Sequence, residues 1–131
     1  MRKAYRWLPA VIWMAVIYYF SSKTGNDLGG WLDGIRKWLP FMEGFDWGHF
    51  VSYFILSLTF LYALEHNQRP FLSKALAVLL CFLYGLTDEF HQSFVPGRTP
   101  DWMDIRNDVI GAALAMLFVS IPPVNRLFRR L

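Results

Sequence analysis

The sequence predicts an all-α integral membrane protein: a four-helix bundle with both termini cytoplasmic and a short amphipathic helix on the outer interface. Three observations predict it. Uncharged runs from Trp7 to Ser22, Trp47 to Leu64, Ala75 to Thr87 and Val109 to Asn125 divide the chain into apolar blocks. Nearly all Lys and Arg fall between those blocks. Hydrophobic residues make up 55% and aromatics 18%, high for a soluble chain of 131 residues, which is itself the length of a single domain.

The spans are placed at residues 5–22, 46–65, 74–93 and 103–122, since a perpendicular crossing needs about 20 residues. The first follows Arg2, Lys3 and Arg6 but lacks the small-residue cleavage pattern of a signal peptide and is read as a span. In the outer segment that follows, Leu28, Trp31, Leu32, Ile35, Trp38 and Leu39 recur at helical spacing. That pattern predicts the interfacial amphipathic helix, where Trp is favoured. Pro70 is read as ending helix continuation in the short inner turn "EHNQRPFLSK". The third apolar run is too short to cross unless its helix takes in part of "DEFHQ". The lone cysteine, Cys81, falls mid-span, so neither an intramolecular disulfide nor a thiolate zinc cluster is available to it.

Charge sets the orientation. With the N-terminus inside, Arg2, Lys3, Arg6, Arg69, Lys74, Arg126, Arg129 and Arg130 lie on the cytoplasmic face, against Lys23, Arg36, Lys37, Arg98 and Arg106 outside. All acidic residues except Glu65 then fall at or near the outer surface. The net charge of +3 reads as topology. No basic stripe with interleaved aromatics points to nucleic acid.

Polar chemistry gathers in "DEFHQSFVPGRTPDWMD", residues 88 to 104. Counted from Lys74, Asp88 comes about 21 Å along a helix crossing roughly 30 Å of hydrocarbon, below the outer surface. Residues three and four apart share a helix face. This groups Asp46, His49 and Tyr53 on the second span, Asp88, His91 and Gln92 on the third, and Asp104, Asn107, Asp108 and Gly111 on the fourth. Ionisable groups in hydrocarbon cost at least ~2.5 kcal/mol near the centre, so these faces are expected to meet in a polar pocket open to the outside. Simpler readings exist for several members. Asp101 and Asp104 suit the positive start of a helix, Pro96-Gly97 is an ordinary turn signal, and Tyr53 suits aromatic packing. Asp88, Glu89, His91 and Gln92 have no such reading, because carboxylates at a helix C-terminus oppose its dipole.

The stretch "YGLTDEFHQSFVPGRTPDWMDIRNDVIG", with "GHFVSYFIL" upstream, resembles the signature of the VanZ-like membrane proteins over nearly the whole chain. The resemblance marks His49 and Tyr53, then Asp88, Glu89 and Gln92, then Pro96, Gly97 and Arg98, then Asp104, Asn107 and Gly111; His91 fits the common form of the motif. Many members carry a lysine just before the histidine, where this chain has Asp46 and Trp47. The family is named for a protein that lowers susceptibility to teicoplanin, a lipoglycopeptide. The resemblance therefore implies a multi-pass protein of the bacterial cell membrane acting in the envelope, with no cofactor identified.

Two expectations follow for the site. In one, the pocket engages a lipid-linked wall precursor, a lipoglycopeptide or another amphipathic ligand through His49, Tyr53, Asp88, Glu89, Gln92, Arg98, Asp104 and Asn107, with Pro96, Gly97 and Gly111 structural. In the other, the protein is a membrane-embedded hydrolase or transferase. His49 or His91 is then the general base, Asp88 or Asp104 orients it, and Arg98 stabilises developing negative charge. A variant of the second places a divalent metal on His49, His91, Asp88 and Asp104. The inner halves of the spans look dry, which disfavours a transport path.

Overall fold

A computed structural model describes residues 4–21, 46–64, 69–95 and 102–131, leaving out the side chains of residues 20, 21 and 46–49. Every regular element among them is helical: a 3-10 turn Ala4–Trp7, then α1 Leu8–Ser21, α2 Asp46–Leu64, α3 Pro70–Gln92, α4 Trp102–Val119 and α5 Pro122–Arg129. The amphipathic helix expected in the first outer segment lies outside the described residues, as do Pro96, Gly97 and Arg98.

Proline sets two helix boundaries. Pro70 starts α3 instead of keeping the preceding turn open. At the first helical position its missing N–H costs nothing, because that group has no intrahelical acceptor. The helix therefore begins before Lys74, and its 23 residues carry both the apolar run and all of "DEFHQ". α3 is long and apolar enough to cross a membrane, while Phe50–Leu64 is apolar but shorter. The second boundary is the Pro122-Pro123 pair, which has no N–H to continue α4. Ile121 turns extended, at φ −66° and ψ 127°, and α5 departs at 91°. Only as this bent pair do α4 and α5 meet the same length and hydropathy test.

Side-chain bonds to distant backbone carbonyls fix the helix directions. Arg6 Nε donates to the Tyr62 carbonyl at 2.9 Å and Trp13 Nε1 to that of Ser52 at 2.8 Å, so α1 and α2 run antiparallel. Tyr84 Oη donates to the Met14 carbonyl at 2.6 Å, and the His91 ring stacks on Tyr18 at 4.3 Å, so α1 and α3 run parallel. Lys74 Nζ reaches Ser120 Oγ at 2.8 Å at one end while Gly85 packs on Asp108 nearer the other, which makes α4 antiparallel to α3. The most extensive pairing is α2 with α4.

The core contains Leu56, Phe60, Leu61 and Met116, but the faces of α3 and α4 depart from the pattern of a water-soluble helical protein. α3 buries Ser73, Ala77, Cys81, Gly85, Asp88, Glu89 and Gln92, a stripe of small and polar residues, and exposes Leu72, Leu76, Leu79, Phe82 and Leu83. α4 buries Asn107, Asp108, Gly111, Ala112 and Ala115 together with Ile105, Met116 and Val119, and exposes Ile110, Leu114, Leu117 and Phe118. Small residues inside let backbones approach, and large apolar residues outside suit a surrounding that is itself apolar. The approach is closest at Gly111: a Cβ there would lie 2.6 Å from the Phe50 carbonyl oxygen on α2. Backbone atoms cannot swing aside, so a methyl group must push the two helices apart.

Gly111→Ala is accordingly expected to destabilise the fold by about 1–3 kcal/mol, the usual cost of overpacking. Cys81 provides the readout, since its thiol is fully buried and reacts with a maleimide only on unfolding. The variant should expose that thiol several degrees below wild type; an unchanged midpoint would mean that α2 and α4 do not meet at this point.

Candidate functional site

The polar interior is assembled from one face of each of three helices. Tyr53 from α2, Asp88, Glu89 and Gln92 from α3, and Asn107 and Asp108 from α4 are all buried, and Asp104 is half-buried one turn before Asp108. Asp88 and Gln92 are four residues apart on α3, as Asp104 and Asp108 are on α4, so each pair occupies a single face. Tyr53 is central: Asp108, Asp88, Tyr84 and Cys81 all lie near enough to act electrostatically on its hydroxyl. Its ring is 6.3 Å from that of Tyr84.

Small residues allow the carboxylates to be there. A Cβ at Gly85 would stand 2.9 Å from Asp108 Oδ2, so the missing side chain on α3 is the space that the Asp108 carboxylate fills. Deeper in, Ser57 Oγ donates to the Ala112 carbonyl at 3.3 Å and Cys81 Sγ approaches the Tyr53 carbonyl at 3.9 Å. These bonds tie α2 to α4 and α3 below the acidic level. The site thus has a closed floor of small residues beneath a cluster of carboxylates and amides.

The sequence grouping and the geometry differ in two places. His91 shares α3 with Asp88 and Gln92, but its ring is half-buried and stacked nearly parallel on Tyr18 of α1, at 19°. That contact commits it to the α1 side, leaving His49 as the histidine on the helix that carries Tyr53. The second difference is Asp108. Spacing places it on the polar face with Asp104, the carboxylate in the expected ligand set, yet Asp108 is fully buried while Asp104 is half-exposed. The signal in the sequence is Gly85, whose missing side chain makes room for a carboxylate on a neighbouring helix, but which position it faces is not written in one helix alone. Asn107 accepts a hydrogen bond from Arg106 Nη2 at 3.4 Å, beside the cluster. Among the described residues no three His, Cys, Asp or Glu are placed to share a metal ion, and the metal variant also draws on His49, whose side chain is outside them.

The chain matches the sequence profile of the VanZ/LLP1 family over residues 6–122. It belongs to that family. Beyond the profile, this VanZ/LLP1 protein is similar to an uncharacterized protein of the fission yeast Schizosaccharomyces pombe, C11E3.10. The two are 37% identical over 70 residues, which is 53% of this chain and 42% of the yeast protein. The chain thus spans less than half the length of that relative. No solved structure matches it significantly.

Within this VanZ/LLP1 chain the Tyr53 hydroxyl gives a stability test of the polar interior. It is buried and has no hydrogen-bond partner among the described residues, and a buried hydroxyl of that kind costs about 1–3 kcal/mol. Tyr53→Phe should therefore unfold at the wild-type temperature or above it in a thermal melt. A marked drop in unfolding temperature would show instead that the hydroxyl is bonded within the fold.

Proposed function

We propose that this protein is a multi-pass membrane protein of the bacterial envelope. In this reading α1 to α4 each cross the bilayer, both termini are cytoplasmic, and the acidic cluster opens toward the outside. Its role is to engage the polar head of a lipid-linked or amphipathic ligand and so to lower susceptibility to teicoplanin or related lipoglycopeptides.

The observation that carries the proposal is the reversal of polarity. Carboxylates and amides are buried between helices whose outer faces are Leu, Phe and Ile. An ionisable side chain at membrane depth is costly, and it is characteristically found facing other helices at a site that binds or conducts. The depth also fits. The cluster sits at the C-terminal end of α3 and the N-terminal half of α4, the level of lipid headgroups if α3 spans from Pro70. Arg98, in the segment joining those two helices, supplies a group suited to phosphate or carboxylate. The similarity to a yeast protein favours a ligand drawn from membrane lipids, which both kinds of cell possess, over one restricted to the bacterial wall.

The test is drug susceptibility of a sensitive Gram-positive host producing wild type, Asp88→Asn, Asp108→Asn, His49→Ala or Arg98→Ala at equal membrane levels, with vancomycin beside teicoplanin. Selective protection against teicoplanin by wild type, lost in the Asp88 and Asp108 variants, is the expected result. Protection that survives both substitutions would reduce the cluster to scaffold, and absence of protection by wild type would refute the role in lipoglycopeptide susceptibility.

A further inference from the structure

The acidic cluster occupies one end of the molecule. The opposite end carries a basic surface that the proposed ligand site does not use. Among the described side chains every Asp and Glu lies in the C-terminal part of α3 or the N-terminal half of α4. Arg69 and Lys74 begin α3 at the far end, Lys74 bonds Ser120 where α4 stops, and α5 adds Arg126, Arg129 and Arg130.

α5 has the build of a helix that lies on a surface. It leaves α4 at 91°, so if α4 stands along a bilayer normal, α5 runs in the bilayer plane. Its residues divide by the helical period of about 3.6. Val124, Asn125 and Phe128 are half-buried on the side facing the body, where Phe128 packs against the hydrophobic core. Leu127 and Leu131 flank that side and are each 66% exposed, with no protein over them. Arg126, Arg129 and Arg130 are exposed on the face opposite Phe128. Arginines in the last turn also complement the helix dipole, but the dipole accounts neither for the two uncovered leucines nor for Arg69 and Lys74 at the same end of the molecule.

We propose that α5 and the start of α3 form a docking surface for anionic phospholipid headgroups, with Leu127 and Leu131 entering the acyl boundary and the arginines meeting phosphates. An amphipathic helix with apolar and basic sides binds the interface in this way, and clustered basic residues beside a span favour anionic leaflets. The inference rests on the membrane reading above but not on the outward ligand site.

The experiment uses the full chain in phosphatidylcholine nanodiscs, with phosphatidylglycerol replacing a rising share of the lipid and maleimide labelling of Cys81 reporting the unfolding temperature. Phosphatidylglycerol should raise the midpoint by several degrees, and 0.5 M salt should remove most of the gain by screening, since the Debye length falls to only a few Å. The gain should be absent in the combined Arg126→Gln, Arg129→Gln, Arg130→Gln variant and restored when the same positions are Lys. Asp88→Asn should keep it, which separates this surface from the ligand site. Equal midpoints in the two lipids for wild type, a gain insensitive to salt, or a gain retained in the triple Gln variant would each overturn the proposal. The salt series on wild type decides the matter even if the triple variant does not fold.

Discussion

Everything in this fold depends on where the carboxylates of α3 and α4 are put. Asp88, Glu89 and Asp108 stand on helices whose other faces are Leu, Phe and Ile, and helices of that composition cannot turn polar faces outward into an apolar surrounding without a cost of several kcal/mol. The helices must therefore bury their polar stripes against one another. To do so they come close, and to come close they use Gly85, Gly111, Ala112 and Ala115 at the contacts. The acidic site and the tight packing are thus two sides of a single requirement. A bulky residue at either glycine would disturb both.

Much of this was legible from the chain itself. The alternation of uncharged runs with charged connections marks helices, and three- and four-residue spacing groups Asp88 with Gln92 and Asp104 with Asp108. What one helix at a time cannot reveal is rotation relative to neighbours. His91 lies three residues from Asp88, yet Tyr18 draws its ring toward α1. Asp108 takes the centre because α3 has a glycine at position 85, a fact about two helices together. Proline also cut both ways. Pro70 carries the signal of a breaker but begins α3, because a proline at the first turn forfeits no hydrogen bond. The right-angle turn into α5 follows from Pro122 and Pro123, which the long apolar run to Asn125 conceals.

The two ends of the molecule do different physical work. One collects carboxylates and amides between helices, above a floor made by Ser57, Cys81 and their carbonyl partners. The other spreads arginines over the outside of a helix that packs by Phe128 alone among its large side chains. Exposed bases gathered at one end favour placing that end on the cytoplasmic side of a bilayer. The same separation keeps the arginines of α5 from neutralising the acidic cluster, whose nearest described arginine is Arg106 on α4.

On the proposed function the acidic end faces outward. This orientation is tested most directly by placing one cysteine at each end, Phe94→Cys and Leu131→Cys in separate chains, and labelling intact cells with a membrane-impermeant maleimide. Phe94 and Leu131 are both well exposed, and Cys81 is buried and stays silent. Residue 94 should label in intact cells and residue 131 only after permeabilisation. The reverse order would turn the site toward the cytoplasm and contradict a role at the outer surface.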